Sequence, residues 1–141
     1  GGIVPWNFPV MMAMQKIAPA MLSGCTIVLK PSPFTPLTTL RLAELIKDAV
    51  PAGVVNIITG EDSLGPLITG HPDVDKITFT GSTATGKKIM EGASKDLKRI
   101  TLELGGNDAS IVLPDADPKK VAEQLFWSSF SNAGQICVAA K

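Results

Sequence analysis

Lys76-Ile77-Thr78-Phe79-Thr80-Gly81-Ser82-Thr83-Ala84-Thr85-Gly86-Lys87-Lys88 is the stretch on which the fold turns. A short β-branched apolar run ends at a glycine, and a helical pattern over residues 85–93 opens directly after it. Strand, tight loop and helix start together form a place where backbone N–H groups hold an anion. Working outward, the same alternation recurs: a strand pattern at 26–29, a helical one at 40–49 and a strand pattern at 54–58. This predicts βαβ units on a parallel sheet. Residues 36–39 start the first helix before its Leu40, Ala43, Leu45, Ile46 face, and Pro51, Ala52 and Gly53 end it.

Beyond that region, apolar runs at 100–104 and 110–113 are separated by Gly105, Gly106 and Asn107, which predicts a change of direction and a domain boundary after residue 104. Residues 115–118 read as a capped helix start, and a helix over 121–130 stops near Asn132 and Gly134, leaving Cys137 just past its end. No internal repeat or low-complexity segment interrupts this order.

Composition narrows the function classes. Of 141 residues, 45% are hydrophobic and 18% charged, which excludes disorder and fibrous repeats. Thirteen basic residues balance thirteen acidic ones, and Lys87, Lys88, Lys95, Lys98 and Arg99 are interleaved with Glu91 and Asp96, so no nucleic-acid footprint is expected. The apolar stretch 3–22 is broken by Pro5, Asn7, Pro9, Gln15, Lys16 and Pro19, which argues against a membrane span. No basic segment precedes it as in a secretory leader, and two cysteines far apart give no disulfide framework, so a cytoplasmic setting is expected. Gly1 in place of Met, and an end at Lys141 directly after an apolar run, read as a piece of a longer chain.

Three readings compete for the 81–88 loop. A nucleotide triphosphatase P-loop needs Ser or Thr after Gly-Lys to ligate magnesium, but Lys88 stands there, and Pro114 interrupts the strand leading to Asp115. A dinucleotide pyrophosphate can instead rest on the helix beginning near Ser82, without the Gly-x-Gly-x-x-Gly spacing. In the plainest reading Gly81 and Gly86 only permit a tight turn. No metal site is expected.

Two residues elsewhere suggest chemistry. Cys137, at a segment junction after Gly134, is either a nucleophile or an inert thiol; Cys25 is read as an inert core residue on its strand. His71, the only histidine, precedes Pro72 and is assigned a surface or capping role, which leaves carboxylates as candidate bases. Glu103 interrupts the apolar Ile100, Leu102, Leu104 run. It is either a partly desolvated general base or a solvent-facing residue of an edge strand.

The motifs Pro5-Trp6-Asn7-Phe8-Pro9, Lys30-Pro31-Ser32, Phe79-Thr80-Gly81-Ser82, Leu102-Glu103-Leu104-Gly105-Gly106-Asn107 and Gly134-Gln135-Ile136-Cys137 occur in that order along the whole chain. Together they resemble the aldehyde dehydrogenase superfamily. The resemblance implies an α/β fold: a Rossmann-like parallel sheet with flanking helices, plus the start of a second α/β catalytic domain. Residues 1–104 would be the later part of a dinucleotide-binding domain and 105–141 the beginning of the catalytic domain. It implies that Cys137 is the nucleophile, Glu103 the general base and the Asn7 amide an oxyanion donor. It places Pro5, Trp6, Lys30, Ser32, Gly60, Gly81, Ser82, Gly86 and Leu104 at the cofactor. An aldehyde would be oxidised to a carboxylic acid through a Cys thiohemiacetal and thioester, with NAD as cofactor and NADP tolerated. Family members that transfer the acyl group to coenzyme A lack the Glu, so water is the expected acceptor.

Two details refine these expectations. Phe8, Met11, Met12, Ile136 and Val138 resemble the family's substrate tunnel and are all apolar, which favours an uncharged aldehyde. Many NAD-preferring members carry Glu where Pro33 stands. Its loss removes a clash with a 2′-phosphate, while Lys30 and Ser32 remain to meet one. A homo-oligomer is expected of the full-length protein. The rival readings are a P-loop-type nucleotide phosphohydrolase and a cofactor-independent Cys hydrolase.

Overall fold

Five short strands, β1 (Gly2–Ile3), β2 (Ile27–Lys30), β3 (Val55–Ile57), β4 (Lys76–Thr80) and β5 (Arg99–Glu103), pair in parallel in the order β3-β2-β1-β4-β5 in a computed structural model describing residues 1–141. Helices α1 (Pro9–Leu22), α2 (Leu37–Ile46), α3 (Leu64–Thr69) and α4 (Thr83–Ser94) connect them in alternation. The fold is thus the α/β arrangement of a parallel sheet with flanking helices that the pattern predicts.

Two clusters form the core of this sheet. One joins Val4, Met12, Ala13, Ile17, Ile27 and Leu29, so it fastens α1 to β2 and to the residue after β1. The other joins Ile77, Phe79, Ile89 and Ala93 and fastens α4 to β4. Ile17, Leu29 and Ile77 are fully buried, each stabilising by about 1.5–3 kcal/mol relative to exposure.

Gly81 and Gly86 have φ outside the left-handed region, so neither is required by turn geometry. Close approach explains them. A Cβ on Gly81 would lie 2.5 Å from Phe79 Cζ, and one on Gly86 2.6 Å from Leu104 Cδ2. The second contact lets Leu104, just past β5, seat against the first turns of α4.

The chain divides into two compact units, Gly1–Leu104 and Gly105–Lys141. In the second, helix α5 (Pro118–Phe130) begins at Asp117, whose carboxylate accepts a hydrogen bond from Lys119 N at 3.0 Å, with Pro118 at the first helical position. A short 3-10 turn, Ser131–Gly134, follows.

Several expectations are corrected. Residues 110–113 form no strand: only an isolated bridge joins Asp108 to Ala140, and Ile111, Val112 and Leu113 are exposed. Cys25 is exposed and lies before β2 rather than in it. The first connecting helix runs Leu37–Ile46, three residues earlier than 40–49, because Pro36 supplies its start directly. The largest omission is α1. Its prolines read as breakers, yet Pro9 opens the helix, where no N–H is needed, and Pro19 falls near its C-terminal end.

Candidate active site

The carboxyl ends of all five strands lie on one edge of the sheet, and the expected site residues of the first unit follow them strand by strand. Pro5, Trp6 and Asn7 come after β1, Lys30 and Ser32 at the end of β2, Gly60 after β3, Gly81 and Ser82 after β4, and Glu103 and Leu104 at the end of β5. Chain order runs outward from β1 through β2 to β3, then restarts on the other side with β4 and β5. The reversal falls between β1 and β4. In open α/β sheets, ligands bind outside the carboxyl ends of the strands at such a point.

Local contacts hold this edge together. The Thr35 hydroxyl donates to Trp6 O at 3.1 Å, tying the loop after β1 to the loop after β2. Gly81 N donates to Glu103 O at 3.0 Å, continuing the β4–β5 pairing past Thr80. Ser82 caps α4: its Oγ accepts from Thr85 N at 3.2 Å.

Lys30 is the most telling side chain. It is 3% exposed, and its ammonium makes only one long hydrogen bond, 3.4 Å to Pro31 O. A buried cation with so little compensation suits a ligand bearing hydroxyl or phosphate oxygens. Ser32 beside it is buried, and its Oγ accepts from Phe34 N at 3.3 Å, which leaves the hydroxyl proton for another acceptor.

Glu103 is exposed, which corrects the expectation of a partly desolvated carboxyl in this chain. β5 is an edge strand, and its period-two alternation turns Ile100 and Leu102 toward the core and Thr101 and Glu103 away. His71 has the capping role read for it: its Nδ1 accepts from Asp73 N at 3.2 Å in an exposed turn. Met12, read as tunnel-lining, is buried in the core cluster of α1, and Phe8 packs against that cluster. Met11 is exposed.

Cys137 belongs to the second unit. It is an exposed free thiol in a turn preceded by three successive residues with positive φ: Asn132 (50°), Ala133 (55°) and Gly134 (73°). Only Gly134 takes that conformation without strain. Gly106 lies close by, since a Cβ there would stand 3.1 Å from Cys137 O.

One residue escapes the motifs. Lys16, 8% exposed, sends its ammonium to Thr80 Oγ1 at 2.8 Å, joining α1 to the end of β4. Burial pushes its pKa below the ordinary lysine value, and the Glu103 carboxylate pulls in the opposite direction. The signal was present in the sequence: Met12, Ala13, Lys16 and Ile17 share the core face of a helix at helical spacing.

The sheet unit thus carries a switch point and a buried lysine short of acceptors, and the second unit an exposed cysteine after a turn of positive-φ residues. The sequence matches the aldehyde dehydrogenase family over residues 1–141, and the chain belongs to that family. It is 51% identical over 140 residues to the NADP(+) succinate-semialdehyde dehydrogenase of Escherichia coli, covering 98% of this chain and 29% of that protein. It is 50% identical over 139 residues to the phenylacetaldehyde dehydrogenase of Pseudomonas fluorescens, covering 97% of this chain and 28% of that protein. Among solved structures, the NAD-dependent aldehyde dehydrogenase of Sinorhizobium meliloti superimposes with a TM-score of 0.96 at 45% identity, covering 99% of this chain and 28% of the other. The chain spans less than a third of the length of these relatives.

Proposed function

We propose that the full-length protein carrying this chain oxidises an aldehyde to a carboxylic acid with NAD, and that NADP is tolerated. The observation that carries this is the placement of the family's motif residues along the carboxyl edge of one parallel sheet, around its switch point. Residues 1–104 serve as the later part of the dinucleotide-binding domain, and 105–141 as the opening of the catalytic domain with its nucleophile.

Each residue then has a task. The Cys137 thiolate adds to the aldehyde carbon and forms a thiohemiacetal. The Asn7 amide donates to the resulting oxyanion, a contribution worth about 3–4 kcal/mol per donor in comparable sites. NAD, when bound, supplies the two-electron acceptor that no side chain offers. Lys30 and Ser32 would hold its ribose, Ser82 and the start of α4 its pyrophosphate, and Pro5, Trp6, Gly60, Gly81, Gly86 and Leu104 would shape the cleft. Glu103 takes a proton from the water that hydrolyses the Cys137 thioester, and the acid leaves.

An uncharged aldehyde is the favoured substrate. Support comes from the apolar Ile136 and Val138, with no Lys or Arg beside them in sequence. The relatives named above act on one charged and one uncharged aldehyde at nearly equal identity, so identity leaves this choice to the side chains. A homo-oligomer working in the cytoplasm, apart from nucleic acid and membranes, completes the reading. No helix is long and apolar enough to cross a membrane, and the net charge is zero.

Absorbance of the reduced nicotinamide, followed with the full-length protein and a panel of aldehydes, tests the proposal. Cofactor-dependent oxidation, fastest with aliphatic or aromatic aldehydes, is expected. Ester hydrolysis without any such oxidation would favour the Cys hydrolase instead.

A further inference from the structure

We propose that Ala133 is a positioning residue for the nucleophile: its left-handed backbone redirects the chain leaving α5, so that Cys137 falls in the second position of the turn that follows. This rests on the reading of Cys137 as the nucleophile.

The path is tied at both ends. α5 stops at Phe130, Ser131 is extended with ψ 139°, and both its hydroxyl and its amide donate back to Trp127 O. Asn132 (φ 50°, ψ 38°), Ala133 (φ 55°, ψ 32°) and Gly134 (φ 73°) then make a left-handed turn, closed by Gln135 N donating to Asn132 O at 3.1 Å. A second turn runs from Ile136 to Ala139, whose N donates to Ile136 O at 3.3 Å, and Cys137 lies within it. Past it, Ala140 N donates to Ser128 O at 3.0 Å and Lys141 N to Asp108 O at 2.9 Å, with Ala139 buried. The chain thus leaves α5 at its last residue and is bonded back to it by residue 140. Between those ends no helix or strand holds Cys137, so the hand of the 132–134 turn decides where the thiol stands.

The strain of that turn falls on one residue. Gly adopts positive φ freely and Asn does so more readily than most, whereas Ala has no such allowance. Ala133 is exposed, so no packing of its own side chain repays the strain; the tied ends hold it. The space around the turn is closed on two sides. A Cβ on Gly134 would stand 3.2 Å from Ser129 O, and one on Gly106 3.1 Å from Cys137 O. A residue at 133 that resists the left-handed region therefore re-aims the stretch containing Cys137 rather than relaxing in place.

The test compares two variants of the full-length protein: Ala133→Val, whose branched Cβ opposes positive φ, and Ala133→Gly, which adopts it without strain. The rate of the nicotinamide burst at saturating aldehyde and the dissociation constant for NAD are measured for each, beside Cys137→Ser. We expect the burst of Ala133→Val to slow by about tenfold or more with NAD affinity unchanged, and Ala133→Gly to keep the parent's burst. An unchanged burst in Ala133→Val would overturn the proposal. So would a slowing that Ala133→Gly shares, or one matched by an equal loss of NAD affinity, either of which makes Ala133 a scaffold residue. If Ala133→Val does not fold, Ala133→Leu carries the same expectation and the same refutation. Failure of the nucleophile reading is separately visible: Cys137→Ser would then keep the burst, whereas a Cys137→Ser protein without a burst beside an unslowed Ala133→Val refutes only the role of Ala133.

Discussion

Pro33 stands one residue past Ser32 and three past the buried Lys30, and its side chain offers neither an acceptor oxygen nor a charge to a ribose. On the proposed cofactor placement, a 2′-phosphate would meet the Lys30 ammonium, which makes a single long hydrogen bond, and no carboxylate from position 33. Pro33→Glu should therefore raise the ratio of kcat/KM for NAD over NADP by about tenfold or more, equivalent to roughly 1.4 kcal/mol. Steady-state kinetics with both cofactors check it, and an unchanged ratio would show that another residue reads the ribose. At this scale the reading rests on residue type and motif: Glu103 and Cys137 are chemically conspicuous among their neighbours, whereas Asn7 and Lys30 are marked only by the motifs in which they stand. The sequence was less legible where surroundings decide. Glu103 was open between buried and exposed because period two alone does not say which strand lies at the sheet edge. Lys16 looked like an interruption of an apolar run, and only the packing of α1 turns that interruption into a buried ammonium.

Strand β4 and helix α4 were read almost to the residue because Gly81 and Ser82 punctuate the change of period sharply. β1 was not read at all: two residues carry no periodicity, and its strand character comes from pairing with β2 on one side and β4 on the other. The 110–113 run had β-branched residues but found no ladder beyond the single bridge. Element packing makes its own prediction at Gly86, where Leu104 fills the space a side chain would need. Leu104 can swing aside for a methyl group, but a branched side chain forces α4 away from β5. Gly86→Val should destabilise by about 1–3 kcal/mol, whereas Gly86→Ala should cost less. Thermal unfolding of the two variants measures the difference, and a Gly86→Val protein as stable as the parent would remove the close-packing account.

The two units differ in how much they bury. The sheet unit contains both core clusters, whereas α5 has no buried residue, and Phe126, Trp127 and Phe130 pack edge-to-face or tilted at 5.3 Å while exposed. An open groove of about 470 Å³ lies among Ile111, Leu113, Val121 and Leu125 in the same unit. With few buried contacts, α5 of the isolated 141-residue chain should exchange its amide hydrogens far faster than β2 and β4. Hydrogen exchange read by mass spectrometry decides this, and α5 protection equal to that of β4 would contradict it. The most direct test of the whole account traps its covalent intermediate. The full-length Glu103→Gln protein, mixed with NAD and an aldehyde, should give a nicotinamide burst and then accumulate an acyl group on the peptide containing Cys137, detected as a mass increase that Cys137→Ser abolishes. Undiminished turnover in Glu103→Gln, or a burst with the acyl group on any residue other than Cys137, would contradict it.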